Sequence, residues 1–277
     1  MKFRILLLLF LMLLTRACFD TSLEFEDQYK VVLEAYLYKD RDINNVKLSS
    51  MISFGDDTTG GSALSDALVT LEREGEFWQL LENDSVPGTY YMGEELAMEP
   101  GDSFNISVTM NDEVISAATL MPDNPPSVSL SASSIGIPKV YDMRDFNQLE
   151  MPDPLELTWE NPELDYYFFR IQNIETYVDL IIPEPPDGAP SRGGFNFQMD
   201  TRPTNDNYST ISFQELTHFG THRIIVYSVN NEYVQLYNSL DQDSRELNEP
   251  YSNVNNGLGI FTAFNSDTLY FEVYPVY

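Results

Sequence analysis

From Tyr29 onward the chain runs in short stretches where apolar, β-branched and aromatic residues take every second position, and the stretches are closed by Gly, Pro, Asn or Asp. A period of two puts successive side chains on opposite faces of a strand, and turn residues at intervals of about 8–12 residues leave no room for long helices. Residues 29–38, 46–54 and 67–72 are the first such runs; in the third, Leu68 and Thr70 share one face and Val69 and Leu71 the other. Turn chemistry separates them at 40–45, at 55–61 and at Glu74-Gly75. Gly88-Thr89-Tyr90-Tyr91 follows, then the tight turn Glu99-Pro100-Gly101-Asp102, then strands at 103–110 and 114–120 joined by Asn111-Asp112. About seven short strands at this spacing predict a β-sandwich over residues 29–121.

Pro122, Pro125 and Pro126 interrupt the pattern, since proline neither continues a helix nor serves a central strand. Residues 122–127 are therefore expected to be a semi-rigid linker. Beyond it, 154–159 with Trp159, the turn Asn161-Pro162 and the aromatic run 166–171 resemble the opening half of a fibronectin type III or immunoglobulin-like sandwich. Runs at 195–199, 208–213 and 222–229 continue the series. One helix is expected at 232–238, where Tyr233, Leu236, Tyr237 and Leu240 recur at spacings of three and four. Final strands are predicted at 259–265 and 268–274, divided by Ser266-Asp267. The expected fold is all-β: two tandem β-sandwich domains, 29–121 and 128–277, with a short helix in the second. A content of 43% hydrophobic residues suffices for cores of that size.

The first 17 residues read as a leader and not as part of the fold. Lys2 and Arg4 precede an apolar run from Ile5 to Leu14, too short to span a bilayer, and Thr15-Arg16-Ala17 leads into Cys18, the chain's one cysteine. A small residue before a cysteine at the leader's exit is the pattern of a bacterial lipoprotein signal, so 1–17 are expected to be removed and Cys18 lipidated. Lipidation leaves no thiol for a disulfide, a thiolate nucleophile or a thiolate metal site. Several acyl chains on one cysteine anchor durably where a single chain does not. Residues 18–28, with Asp20, Glu24, Glu26 and Asp27, read as an acidic tether.

The net charge is −29, from 44 acidic against 15 basic residues, and removing Lys2, Arg4 and Arg16 makes it more negative. Such a chain is repelled by phosphates and anionic headgroups, which disfavours nucleic-acid binding and polybasic membrane attachment. Attachment to a membrane falls to the lipid alone.

Catalytic signals are sparse, and neither an enzyme nor a cofactor is expected. His218 and His222 stand four apart with Glu215 nearby, but Gly220 lies between them in a turn-and-strand context, where two imidazoles need not share a face. No Gly-x-Ser-x-Gly elbow, phosphate loop or dinucleotide fingerprint is present. Asp241-Gln242-Asp243-Ser244 and Gly55-Asp56-Asp57 offer oxygens but lack the register of a calcium loop and read as solvated turns. Aromatics point to binding instead: 17 Tyr, 17 Phe and 2 Trp include Phe77, Trp78, Tyr90 and Tyr91, which are expected to be exposed and to contact a partner.

The stretch Glu249-Pro250-Tyr251-Ser252-Asn253-Val254-Asn255-Asn256-Gly257-Leu258-Gly259-Ile260-Phe261-Thr262-Ala263-Phe264 resembles the closing motif of lipoproteins of domain-of-unknown-function family 4249. The leader, the early strand 31–37, the turns at Gly88 and Glu99-Pro100-Gly101 and the aromatics near Tyr166 agree in order. Within the motif, Gly257 and Gly259 are read as structural, supplying positive φ or close backbone approach before a last hairpin. The resemblance implies a Bacteroidota-type lipoprotein on the outer face of the outer membrane, where acidic residues after the cysteine serve as a display signal. It implies an accessory of a TonB-dependent β-barrel transporter, binding its substrate or its extracellular loops, with that substrate unidentified. Other readings are a structural or assembly subunit of an outer-membrane complex and, third, a hydrolase with its site dispersed over loops.

Overall fold

The alternation in the first third of the chain resolves into seven strands: β1 (Val31–Tyr38), β2 (Val46–Ser50), β3 (Leu68–Arg73), β4 (Glu76–Glu82), β5 (Thr89–Tyr91), β6 (Ser103–Met110) and β7 (Glu113–Leu120). The computed structural model describes residues 31–51, 61–139, 150, 152–177, 179–182, 198–240 and 251–276. Local chemistry sets the hairpins. Glu74 and Gly75 (φ 54° and 85°) close β3 on β4, and Asn111 and Asp112 (φ 50° and 66°) close β6 on β7, the positive-φ pairs that two-residue turns of this hand require. Val31, Leu33, Ala35 and Leu37 of β1 face Val69 and Leu71 of β3, Phe104, Ile106 and Val108 of β6, and Ile115 of β7 in one core. Each buried Val, Leu, Ile or Phe among them contributes about 1.5–3 kcal/mol. β4 spans the two layers: Glu76 to Leu80 pair with β3, and Leu81 and Glu82 with β5.

The remaining strands are β8 (Ser129–Leu130), β9 (Ser134–Pro138), β10 (Leu155–Thr158), β11 (Tyr166–Asn173), β12 (Gln198–Asp200), β13 (Tyr208–Ile211), β14 (Gly220–Val229) and β15 (Leu258–Val276), with one helix, α1 (Asn231–Leu240). β13-β10-β8 form a small sheet facing β12-β11-β14-β15, and β9 flanks β15. Trp159, Tyr167, Phe169, Ile171, Ile224 and Phe271 fill the core between them. The strand expected through residue 213 stops at Ile211, because Ser212 and Glu215 form a capping box and start a 3₁₀ turn. Residues 195–197 of another expected strand lie outside the described residues.

One expectation gives way. The last two strands, 259–265 and 268–274, are one continuous strand of 19 residues. Ser266 and Asp267 do not turn, because they pair with Tyr227 and Val226 of β14 in unbroken register. The same strand serves both sandwich cores. Residues 258–264 of β15 run parallel to β1, and Phe261 and Ala263 lie in the first core, while Phe271 and Val273 lie in the second. The two sandwich cores thus share a strand, and the described residues from Val31 onward pack as one unit. The proline-rich segment 122–127 is held in place: Pro125 is buried, Asn265 Nδ2 donates to the Pro122 carbonyl (2.9 Å), and Glu160 N–H donates to that of Pro126 (3.0 Å).

A third, aromatic cluster covers the opposite face of β15. Phe264, Tyr227, Phe168, Tyr36 and Tyr38 pack there against Tyr233 and Val234 of α1. Arg41 donates to the Tyr227 hydroxyl (2.9 Å) and lies over the Tyr38 ring. Glu232, in the first turn of α1, accepts from the hydroxyls of Thr119 (2.7 Å) and Thr262 (3.3 Å), so the helix is tied to β7 and to β15 at once.

Candidate functional site

Of the four aromatics singled out from sequence, one is fully displayed. Phe77 on β4 is 70% exposed, whereas Trp78, its neighbour on the opposite face, is half-buried against the first core with the Arg73 guanidinium over its ring. Tyr90 is 1% exposed, against expectation. Pairing with Val46 of β2 and Glu82 of β4 turns its ring inward. Its hydroxyl accepts from Ala67 N–H (3.1 Å) and lies 3.3 Å from the Leu64 carbonyl. Burial, followed by the charge of Glu82, pushes this phenol's pKa up. Tyr91, on the other face, is half-buried.

Phe77 belongs to a larger surface. The register of β4, β3, β6 and β7 lays out rows on their outward face: Leu68-Thr109-Val114, then Gln79-Thr70-Ser107-Ser116, then Phe77-Glu72-Asn105-Ala118, then Ser103-Leu120. Leu68, Val114 and Leu120 are each about half exposed. Among these residues only Glu72 is charged, in a chain where 21% of residues are. Its carboxylate is held by Gly75 N–H (2.8 Å) and by the Asn105 amide, which lower its pKa in that order. The face thus combines exposed apolar side chains with a near absence of charge, an uncommon composition for a solvated sheet in so acidic a chain. Sequence reading missed Leu68, Val114 and Leu120; the signal was the run of Ser, Asn, Thr and Ala where the solvent face of β6 and β7 would ordinarily carry Lys and Glu.

His218 and His222 are both buried, at 1% and 0% exposure. His218 Nδ1 lies 2.6 Å from the Thr217 hydroxyl; His222 Nδ1 faces the Gly220 carbonyl at 3.0 Å, and its ring stacks on Phe271. Burial lowers the pKa of each, and for His222 the Gly220 hydrogen bond opposes the shift. Glu215 instead caps the 3₁₀ turn through Ser212 N–H. Among the described residues no group of three His, Cys, Asp or Glu is placed to hold a metal ion. Cys18 and both oxygen-bearing loops, 55–57 and 241–244, lie outside the described residues.

The closing motif is a docking device for β15. Asn253 binds both backbone groups of Phe261, Asn256 Nδ2 donates to the Val114 carbonyl (3.2 Å), and Asn255 bridges to Ser116 of β7. Gly259 has φ +109°, and a Cβ there would sit 2.0 Å from the Leu33 carbonyl oxygen of β1. Gly257 is needed for close approach, since its Cβ would lie 2.8 Å from Ile115 and 2.9 Å from the Val31 carbonyl. Leu258 opens the strand that runs on without the expected hairpin. Glu249 and Pro250 lie outside the described residues.

These features define an all-β protein of two sandwich cores laced by a shared C-terminal strand. The chain belongs to the family described as Domain of unknown function (DUF4249), whose model matches residues 18–269. No curated protein matches the sequence. Among solved structures, the FN1–FN3 domains of chicken CNTN1 align with 73% of this chain, which covers 61% of that structure's chain, at 9% identity and TM-score 0.26. A two-domain fibronectin type III segment of chicken tenascin aligns with 87% of this chain and 98% of its own at 10% identity and TM-score 0.23. CBD12 from CALX1.2 aligns with 88% and 99% at 9% identity and TM-score 0.21. The fold described above rests on this chain's own strand pairing.

Proposed function

We propose that the chain is a lipid-anchored, non-catalytic accessory of an outer-membrane TonB-dependent β-barrel transporter, displayed on the cell surface through Cys18. The observation that supports this reading is the outward face of β4-β3-β6-β7, with Phe77, Leu68, Val114 and Leu120 exposed beside a single charged residue. A strongly acidic chain keeps such a face uncharged at the cost of solubility, and a partner that covers it supplies the reason.

Brief crosslinking on intact cells, followed by recovery of the lipoprotein in mild detergent, tests the reading. One barrel protein is expected to co-purify, and Phe77→Glu combined with Val114→Lys is expected to lose it while the variant remains folded and on the surface. Recovery without any barrel, or full recovery by the double variant, overturns it. Recovery with several surface proteins and no barrel favours an assembly subunit instead.

A further inference from the structure

The second sheet carries a different exposed face. Along β15 the odd-numbered Phe271 and Val273 point into the second core, and the even-numbered Tyr270, Glu272 and Tyr274 point out. Tyr270 is 56% and Tyr274 46% exposed. Four residues of strand set them about 13 Å apart on one face. Tyr274 does not stand free. A Cβ on Gly136 of β9, its register partner, would lie 2.9 Å from Cε2 and Cζ of the tyrosine, so the ring covers the backbone of β9 and is held along the sheet.

Polar groups fill the ground between and beside the two rings. Glu272 accepts from the Thr221 hydroxyl (3.1 Å). Arg223, the register partner of Tyr270, donates through one terminal nitrogen to Gln172 Oε1 (2.5 Å), and its Nε is shielded from solvent without a hydrogen-bond partner. No acid among the described residues lies within ion-pair distance of Arg223, although the chain holds 44 acids to 15 bases. Lys39, Arg73 and Lys139 each have a carboxylate, Arg41 is taken up by the Tyr227 hydroxyl and the Tyr38 ring, and Lys47 is exposed to solvent. An arginine left without an acid in so acidic a protein is complementary to an anionic group arriving from outside.

We infer that this face binds a saccharide chain bearing a carboxylate. Two tyrosine rings about 13 Å apart on one sheet face stack on the C–H faces of sugar rings; the carboxylate of Glu272 meets hydroxyls, and Arg223 meets a uronate carboxylate. Rigid aromatics with a few placed polar groups are the composition of a small-ligand surface, in contrast to the Leu, Val and Ser of the first sheet. The long-range repulsion of the chain's net charge is screened within about 10 Å at 0.1 M salt, so a single carboxylate at Arg223 is accessible where a dense polyanion is not. The inference goes beyond docking to a barrel and stands without it.

The test is calorimetric titration of the full-length protein in detergent with three probes: a xylo-oligosaccharide carrying one glucuronic acid, the neutral xylo-oligosaccharide of equal backbone length, and a galacturonic acid trimer. At least one acidic probe is expected to bind, at least about tenfold more tightly than the neutral one. Arg223→Gln is expected to erase that preference, and Tyr270→Ala with Tyr274→Ala to weaken binding at least about tenfold; thermal unfolding checks that each variant folds. Failure of all three probes to bind, equal binding of acidic and neutral probes, or binding unmoved by the tyrosine variants overturns the inference. So does loss of barrel recovery in the tyrosine variants without saccharide binding, which makes this face a protein contact. Barrel recovery is read separately, so either proposal can fail alone.

Discussion

The side-chain amide of Asn253 closes on both backbone groups of Phe261: Oδ1 accepts the N–H at 3.0 Å and Nδ2 donates to the carbonyl at 2.7 Å. β1 holds one edge of β15 from Leu258 to Phe264, and β14 takes up the other edge only at Phe264. Asn253 stands in for the missing strand, satisfying polar groups of a residue that is 0% exposed. Asn253→Ala leaves both unpaired, and urea unfolding is expected to show a loss of about 2–6 kcal/mol, at about 1–3 kcal/mol per unsatisfied buried group. A loss under about 0.5 kcal/mol refutes this role.

Gly259 and Gly75 both have positive φ but differ in surroundings. A Cβ at Gly259 meets the Leu33 carbonyl at 2.0 Å, while at Gly75 nothing lies within 4 Å. Gly75→Ala is expected to cost about 1 kcal/mol of backbone strain. Gly259→Ala must push β1 and β15 apart and is expected to cost at least about 3 kcal/mol or to prevent folding. Paired chemical denaturation curves decide, and equal effects reject the close-approach argument.

Tyr90 and Tyr91 are neighbours with opposite environments. Tyr90→Phe loses the hydroxyl that serves Ala67 N–H in a buried setting and is expected to cost about 1–2 kcal/mol, whereas Tyr91→Phe is expected to stay within about 0.5 kcal/mol. Thermal melts of the two variants show whether the order holds.

Burial holds the pKa of His218 and His222 below the ordinary 6.5. The unfolded chain therefore binds more protons near pH 6 than the folded one, so stability is full above about pH 6.5 and falls as pH drops from there toward the folded pKa values. The urea midpoint is expected to decline between pH 7.5 and 5. His222→Phe, which can keep the stacking on Phe271, is expected to flatten that decline. An unchanged slope in the variant assigns the pH dependence to other groups. Glu72, Glu82 and Glu175, whose pKa values are lowered chiefly by backbone hydrogen bonds, add their own loss only below about pH 4.5.

Much of the local structure was legible in the chain. Asn111-Asp112 and Glu74-Gly75 name their turns because few residues tolerate positive φ, and the strand at Ser103–Met110 falls where the alternation places it. The helix was visible from Tyr233, Leu236 and Tyr237, extended by a residue or two at each end. Ser266-Asp267 misled, because polar residues in a strand look like a turn when their partners, Tyr227 and Val226, are remote in sequence. Tyr90-Tyr91 misled for a related reason: two adjacent aromatics must face opposite ways, and pairing alone decides which goes in. The candidate surfaces were harder still. Phe77 was found by its type, but Leu68, Val114, Tyr270 and Arg223 become neighbours of their surface partners only through register.

The sequence by itself determined an all-β chain, the places where it turns, the helix at Asn231–Leu240 and the motif that marks its family, because turn propensity and side-chain period act over a few residues. Tertiary structure alone decided that β15 lies parallel to β1, that two cores share one strand, and which aromatics reach solvent. Those outcomes depend on burial summed over strands more than 200 residues apart, such as Ala35 against Phe261, and no local preference encodes that sum.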